Sequence, residues 1–199
     1  MSASIDKAGD IQAGLDKPGA GIPWLEQKIG GFLLRRYAAK RNRGQALEDF
    51  AATAGEVLGL VEGLDEARGR ARVLVPRLRG MEDSSRYWSP YMIVEHLCLV
   101  DAPVLGLVRL LSAGKTTDRR SGPADVKPSP DSGLESLVKL HGIIAEWREH
   151  LPPAEKLLGS QQHPHSWFGN LNAHQWLCMG VMHHRIHLKQ LQAVLAGGA

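Results

Sequence analysis

The chain has 199 residues, of which 43% are hydrophobic, with a formal charge of +3 and a pI near 9.0. This length suits one domain with an N-terminal extension, and so mild a basic excess does not indicate a nucleic-acid partner. Cys98 and Cys178 are too few for a disulfide framework and fit a reduced protein, which we expect in the cytoplasm. No apolar run approaches the roughly 18 residues that span a bilayer, so we expect no membrane partner.

The N-terminal quarter divides into a tail and a basic helix. Residues 1–22 are rich in glycine, alanine and charge, and they predict a flexible tail. Residues 23–44 predict a helix that opens with Pro23, a residue suited to the first helical turn. Its basic side is interpreted as solvated, with the apolar side packed on the remaining protein or on a partner in a homodimer. An anionic membrane or a nucleic acid is the alternative partner for this helix.

Four further helical patterns fill residues 45–199 and predict an all-α helix bundle. The first runs from about 45 to 79, where Gly63 and Gly69 should break or bend it, so it is either one bent helix or two helices with the second ending near Pro76. The second begins with Ser89 as N-cap and Pro90 after it, and stops near Gly114. The third spans about 133–150, and the fourth begins at the N-cap Asn172 and ends near residue 195.

The connections between the later helices are polar and are predicted to be loops. Residues 115–132 form a long connection with several prolines and glycines. A second connection covers residues 160–170 and is rich in histidine and aromatic residues. Neither connection shows a β-hairpin signal.

Three histidines are the strongest candidates for chemistry. His96 points to the core side of its helix, and His183 and His187 project from one side of the last helix. His184 and His187 also share a face, so spacing leaves His183 and His184 as alternatives. Three neutral imidazoles could share a divalent ion and leave positions open for water or substrate. A lone core-facing histidine is more often a hydrogen-bonded structural residue.

Five further side chains are candidates for the surroundings of such a site. Gln190 could hydrogen-bond to a metal ligand and orient it, or could be an ordinary polar residue between helices. His141 lies on the predicted apolar face of its helix, either as a core histidine or in the pocket. Trp88, Trp167 and Phe168 could surround the pocket mouth or cap the core.

Three groups of motifs resemble the DinB/YfiT-like superfamily of bacterial four-helix-bundle proteins. The first comprises Gly80-Met81-Glu82, Trp88-Ser89-Pro90 and Glu95-His96-Leu97. The second comprises His163-Pro164, Phe168-Gly169-x-Leu171 and Gln175-Trp176-Leu177, as in a subgroup of unknown function. The third is His183-x-x-x-His187-x-x-Gln190-Leu191. Together they cover residues 47–195, within the predicted domain of residues 45–199, and leave the helix of residues 23–44 outside.

The resemblance implies an up-down-down-up four-helix bundle with an extra N-terminal helix, often dimeric. It implies a divalent metal, commonly nickel or zinc and sometimes iron or manganese, held by His96, His183 and His187. Characterised members include transferases that use low-molecular-weight thiols, and others resemble hydrolases. The resemblance therefore implies a small-molecule substrate, with a thiol as a candidate cosubstrate.

Overall fold

The computed structural model describes residues 9–198, so the first eight residues of the predicted tail lie outside it. The described fold is mostly helical, with two short pairs of strands. We number its main helices α1 (Trp24–Ala39), α2 (Arg43–Val61), α3 (Glu66–Arg70), α4 (Pro90–Ser112), α5 (Glu135–His150), α6 (Ala154–Leu157) and α7 (Ala173–Gly197). The strands are β1 (Val73–Leu74), β2 (Tyr87–Trp88), β3 (Gln162–His165) and β4 (Gly169–Asn172).

Four long helices, α2, α4, α5 and α7, surround one apolar core. Helix α7 contacts α4 and α2, and α5 contacts the same two helices, so the four close a ring. Phe50 of α2 and Trp147 of α5 are fully buried inside it, with ring centroids 4.8 Å apart. Burying side chains of this size contributes roughly 2–3 kcal/mol each. The up-down-down-up order of helix directions stays a prediction.

The helix predicted to begin near residue 45 is shorter than expected. Helix α2 begins after Asn42, whose side chain accepts a hydrogen bond from the Gln45 backbone N–H, and ends before Gly63. The break expected at Gly63 is therefore present and the stretch forms two helices, but the second, α3, ends at Arg70 and not near Pro76. After the short α3, strand β1 pairs antiparallel with β2. This pairing delivers Trp88 to the start of α4.

Helix α4 is the most apolar element and begins as predicted. The Ser89 hydroxyl oxygen accepts a hydrogen bond from the Met92 N–H, and Pro90 follows the cap. By length and composition alone this helix could cross a membrane. Within the described fold, however, 61% of its most apolar 18-residue stretch is buried, as in the core helix of a bundle.

The face that α5 turns to the core differs from the prediction. His141 is exposed, and its Nε2 lies 2.6 Å from Glu62, so it is neither a core residue nor part of a pocket. The reason is Trp147, which is fully buried and donates from Nε1 to the Asp101 carbonyl at 3.2 Å. The large apolar residues of α5 that are buried on the same face as Trp147 are Leu137, Leu140 and Ile143.

The connection of residues 160–170 contains a β-hairpin that the sequence analysis missed. Strands β3 and β4 pair from Gln162 and Asn172 to His165 and Gly169, leaving a three-residue loop. Gly169 has φ 72°, a left-handed conformation that favours glycine and is typical of such loops. Asn172 then caps α7, as predicted, by accepting a hydrogen bond from the Gln175 N–H.

Helix α1 packs on α7 through a narrow face that does not include its apolar stripe. Its buried residues are Gly31, Leu34 and Ala38. A Cβ on Gly30 would lie 2.9 Å from the Phe168 ring, so the glycine allows the hairpin loop to approach. Of the two predicted positions for the apolar side, packing on the bundle is wrong and packing on a dimer partner stays a prediction. Five large residues are 47–68% exposed: Trp24, Leu25, Ile29, Phe32 and Leu33.

Two carboxylates connect the N-terminal segment to the chain that precedes α4. Glu26 pairs with Arg77 and accepts from the Gly80 N–H at 2.9 Å. Buried Glu82 accepts from the backbone N–H groups of Gly19 and Gly21 at 3.0 and 2.8 Å. Residues 19–21 are therefore attached to the loop that leads into α4.

The Glu26–Arg77 contact predicts a pH-dependent stability. The hydrogen bond from Arg77 holds the pKa of Glu26 below its ordinary 4.5, so this stabilisation is present above that value and is lost as pH falls through the lower folded-state pKa. Glu26→Gln should lower the free energy of unfolding by about 1 kcal/mol at neutral pH and by clearly less near pH 3, below the ordinary pKa of the carboxyl.

Urea unfolding at both pH values measures this difference, and the exposed Glu149→Gln is the matched control. An equal loss of stability for Glu26→Gln at both pH values would contradict the assignment.

Candidate functional site

Helices α4 and α7 bring His96, His183 and His187 together. The Nε2 atoms of His96 and His183 lie 3.0 Å apart. The ring centroid of His187 lies 4.6 Å from the ring centroid of His96 and 4.5 Å from that of His183. The three ligand nitrogens all lie within 4.8 Å of one another. Nitrogens around a tetrahedral ion with bonds near 2.1 Å are about 3.4 Å apart, so the farthest pair needs to approach by at most about 1.4 Å.

Hydrogen bonds orient two of the three imidazoles. Nδ1 of His96 lies 2.7 Å from the Val126 carbonyl, and Nδ1 of His187 lies 2.7 Å from Oε1 of Gln190. Both partners are acceptors, so each Nδ1 carries the proton and each Nε2 keeps its lone pair. Gln190 is itself fixed, because its amide donates to the Ser85 carbonyl at 2.6 Å. This is the arrangement of a histidine prepared to bind a metal through Nε2.

His183 is the imidazole whose hydrogen bonding is incomplete. Its Nδ1 is buried and has no partner within residues 9–198. Its Nε2 faces the lone pair of His96, so without an ion Nε2 must hold the proton and Nδ1 presents a bare lone pair. An unsatisfied buried polar atom costs about 1–3 kcal/mol. An ion between the nitrogens would replace the shared proton, and the donor set therefore fits a divalent metal.

The three imidazoles are neutral at pH 7. Burial lowers the pKa of His96 to about 4. Burial, followed by the neighbouring imidazoles, holds the pKa values of His183 and His187 well below the usual range. Metal coordination requires neutral imidazole, so no proton has to be displaced from a charged ring.

His184 lies apart from this group despite its suitable spacing. Its Nε2 lies 2.6 Å from Oδ2 of Asp101, and both side chains are buried. Its ring also packs beside Phe50, with centroids 4.6 Å apart. Of the two histidines that spacing left open, the structure thus places His183 next to His96.

The histidines lie on the wall of a cavity of about 570 Å³. The α4 side of this cavity is apolar and includes Leu99, Val100, Pro103, Leu107 and Leu110. The hairpin β3–β4 and α7 form the facing side. A cavity of this volume suits a small organic molecule.

The predicted aromatic residues divide between the cavity and the rest of the fold. Trp88 is buried and lies against His96 and His187, with centroid distances of 4.9 and 5.9 Å. Trp167 also lines the cavity. Phe168 does not; it packs on Gly30 of α1 instead.

The sequence analysis did not assign His165, which lines the cavity from β3. The Trp167 backbone N–H donates to its Nδ1 at 3.1 Å, and burial lowers its pKa to about 4. The available signal was the pattern His163-Pro164-His165, because residues two apart on a strand share a face. His163 lines the same cavity.

Among the described residues, Glu82 is the one acid that lines the cavity. Its carboxylate is occupied by the backbone N–H groups of Gly19 and Gly21 and by the Ser84 hydroxyl. It is therefore poorly placed to act as a general base.

The comparisons with known proteins do not identify a family. No family model matches the chain, and no curated protein matches it. A solved structure described as TT2238, a four-helix bundle protein, is similar, with 25% sequence identity and a TM-score of 0.49. The match covers 75% of this chain and 98% of that one. This likeness is too weak to assign a family or a function.

Gln190 provides a test of how the site is oriented. Gln190→Leu removes the acceptor of the His187 Nδ1–H while keeping a similar volume. We expect the affinity for added nickel or zinc to fall by roughly 10–100-fold, as for other outer-sphere partners of metal-bound histidines. Competition with a chromophoric chelator measures this affinity.

Gln192→Leu is the control, because Gln192 is exposed on the same helix. Equal affinities for the two variants would show that Gln190 does not support the ligand.

Proposed function

We propose that this protein binds one divalent metal ion through His96, His183 and His187 and uses it on a small molecule, as a thiol-dependent transferase or a hydrolase. The observation that carries the proposal is the convergence of three neutral imidazoles on the wall of a cavity that suits an organic ligand. Three protein ligands leave positions for water or substrate.

A bound divalent ion lowers the pKa of a coordinated water or thiol, which supplies hydroxide or thiolate near neutral pH. The chain's own residues have separate tasks. Val126 and Gln190 orient the rings of His96 and His187. Trp88 covers the same two rings. The apolar α4 wall limits the water that can compete with a substrate.

Neutral imidazole is a ligand that zinc and nickel both accept, and iron or manganese are the alternatives. The same site would serve a non-catalytic protein that binds a metal or a ligand without turnover. A reaction would require, in addition, a substrate in the cavity together with a water or a thiol at an open position of the ion.

Metal content gives the first test. Full-length protein prepared without a histidine tag should bind about one equivalent of nickel or zinc. His96→Ala and His187→Ala should each bind less than about a tenth of that amount, because two imidazoles remain. Equilibrium dialysis followed by elemental analysis measures the content.

His184→Gln and His141→Ala are the controls. The glutamine side chain of the first variant keeps a donor for Asp101, and His141 is exposed on another face, so both variants should bind the full equivalent. Metal binding unchanged in His96→Ala and His187→Ala would contradict the assignment.

Thiol binding to cobalt separates the two reaction classes. If a thiol cosubstrate binds the ion, adding bacillithiol or mycothiol to cobalt-substituted protein should produce a near-ultraviolet sulfur-to-cobalt charge-transfer band. Titration gives the thiol affinity, and His187→Ala should not show the band. A spectrum that no thiol changes would contradict the transferase and leave the hydrolase.

A second candidate function is assembly through α1, as a dimeric interaction module. The observation that favours it is the continuous exposed stripe on α1 that includes Trp24, Ile29 and Phe32. Apolar patches of this kind mark interfaces, and a stripe of one helix can pair with itself across a two-fold axis. We propose a second copy of this chain as the occupant, because apolar residues outnumber the charged Lys28 and Arg36 on this side.

Sedimentation velocity tests the dimer. The unmodified protein should sediment as a dimer and Phe32→Glu as a monomer, because two buried carboxylates would face each other. Val138→Glu, at an exposed position on α5 and outside the α1 stripe, should leave the dimer intact. A monomeric unmodified protein, with or without binding to anionic vesicles, would contradict this role.

A further inference from the structure

We infer that His165 is a substrate-binding residue, whose Nε2–H donates a hydrogen bond to an oxygen of a ligand that combines an apolar body with a metal-binding oxygen group. The inference rests on the proposed function, since the ligand's oxygen group would occupy the open positions beside His183. Beyond the proposed function, it names the chemical class of the ligand and the residue that recognises this ligand.

The hydrogen bonding of His165 defines its role. The Trp167 backbone N–H can only donate, so Nδ1 of His165 accepts and carries no proton. The ring is neutral, because burial lowers its pKa to about 4, and its one proton is therefore on Nε2. No hydrogen bond within residues 9–198 uses this Nε2. His165 lines the cavity, so its free donor is available to a ligand there.

The position of this donor is fixed by packing on both sides. The His165 ring stacks on Phe168 with centroids 4.5 Å apart and planes at 11°, and lies 5.3 Å from the Trp176 ring. The Phe168 ring in turn packs against Gly30 of α1. The donor is therefore held in place before a ligand arrives, which reduces the entropy lost on binding.

The cavity walls define the rest of the ligand. Residues of α4 such as Val100, Pro103 and Leu107 offer contact area but no side-chain hydrogen bonds. A fully polar ligand would lose its hydration on this wall without compensation. An alkyl or aryl body along α4, ending in a carbonyl-type oxygen group, satisfies the wall, the metal site and His165 together.

Two hydroxamates test this inference on the full-length protein loaded with zinc. Both bind metal ions through the same group, and octanohydroxamate adds an alkyl chain that acetohydroxamate lacks. Octanohydroxamate should bind at least about tenfold more tightly, because its methylenes bury against α4. His165→Phe should weaken octanohydroxamate about tenfold, while His165→Gln, which keeps an N–H donor, should stay within about threefold.

Isothermal titration measures the affinities, and the zinc content of each variant is measured in the same samples. Nitrogen-15 spectra of the metal-free protein should also show the His165 proton on Nε2. Full zinc content with equal hydroxamate affinities in the unmodified protein, His165→Phe and His165→Gln would overturn this inference and leave the metal site standing. Absence of bound zinc in the unmodified protein would overturn the proposed function as well.

Discussion

The contact between Asp101 of α4 and His184 of α7 fixes how the two longest helices lie against each other. Both side chains are buried, and Nε2 of His184 lies 2.6 Å from the carboxylate. Separating such a pair leaves a buried charge without compensation, which costs about 3–5 kcal/mol. A slide of one helix by a single turn, about 5.4 Å, would break it. Because His183 adjoins His184, the same register places His183 against His96.

The remaining parts of the site depend on chain segments outside the bundle. Val126, in the long connection between α4 and α5, orients His96, and Ser85, just before β2, fixes the amide that orients His187. The hairpin supplies His165, and its loop rests on α1 through Gly30. The bundle thus brings the imidazoles together, and the connections set their protonation and form the cavity.

Sequence patterns predicted the features that depend on the type of a single residue or on the spacing of residues along one helix. The N-cap Asn172 and the shared side of His183 and His187 are of this kind, because both follow from residue type and helical spacing. His141 was misplaced because the orientation of its helix is set by Trp147, whose large ring is fully buried. Counting apolar residues on each face of the helix gives this one ring no more weight than a smaller apolar residue that is exposed in the structure. His165 was missed because its hairpin depends on Gly169 and on tertiary contacts rather than on a strong strand pattern.

X-ray absorption spectroscopy of the protein loaded with one equivalent of nickel or zinc tests the central claim most directly. The account predicts three imidazole nitrogens at about 2.0–2.1 Å, with the outer-shell scattering of imidazole rings and the remaining positions filled by light atoms. In His96→Ala, which is expected to keep less than about a tenth of the metal, this signal from the protein should be almost lost. A spectrum with fewer than three imidazoles, or one that His96→Ala leaves unchanged, would contradict a shared ion on α4 and α7.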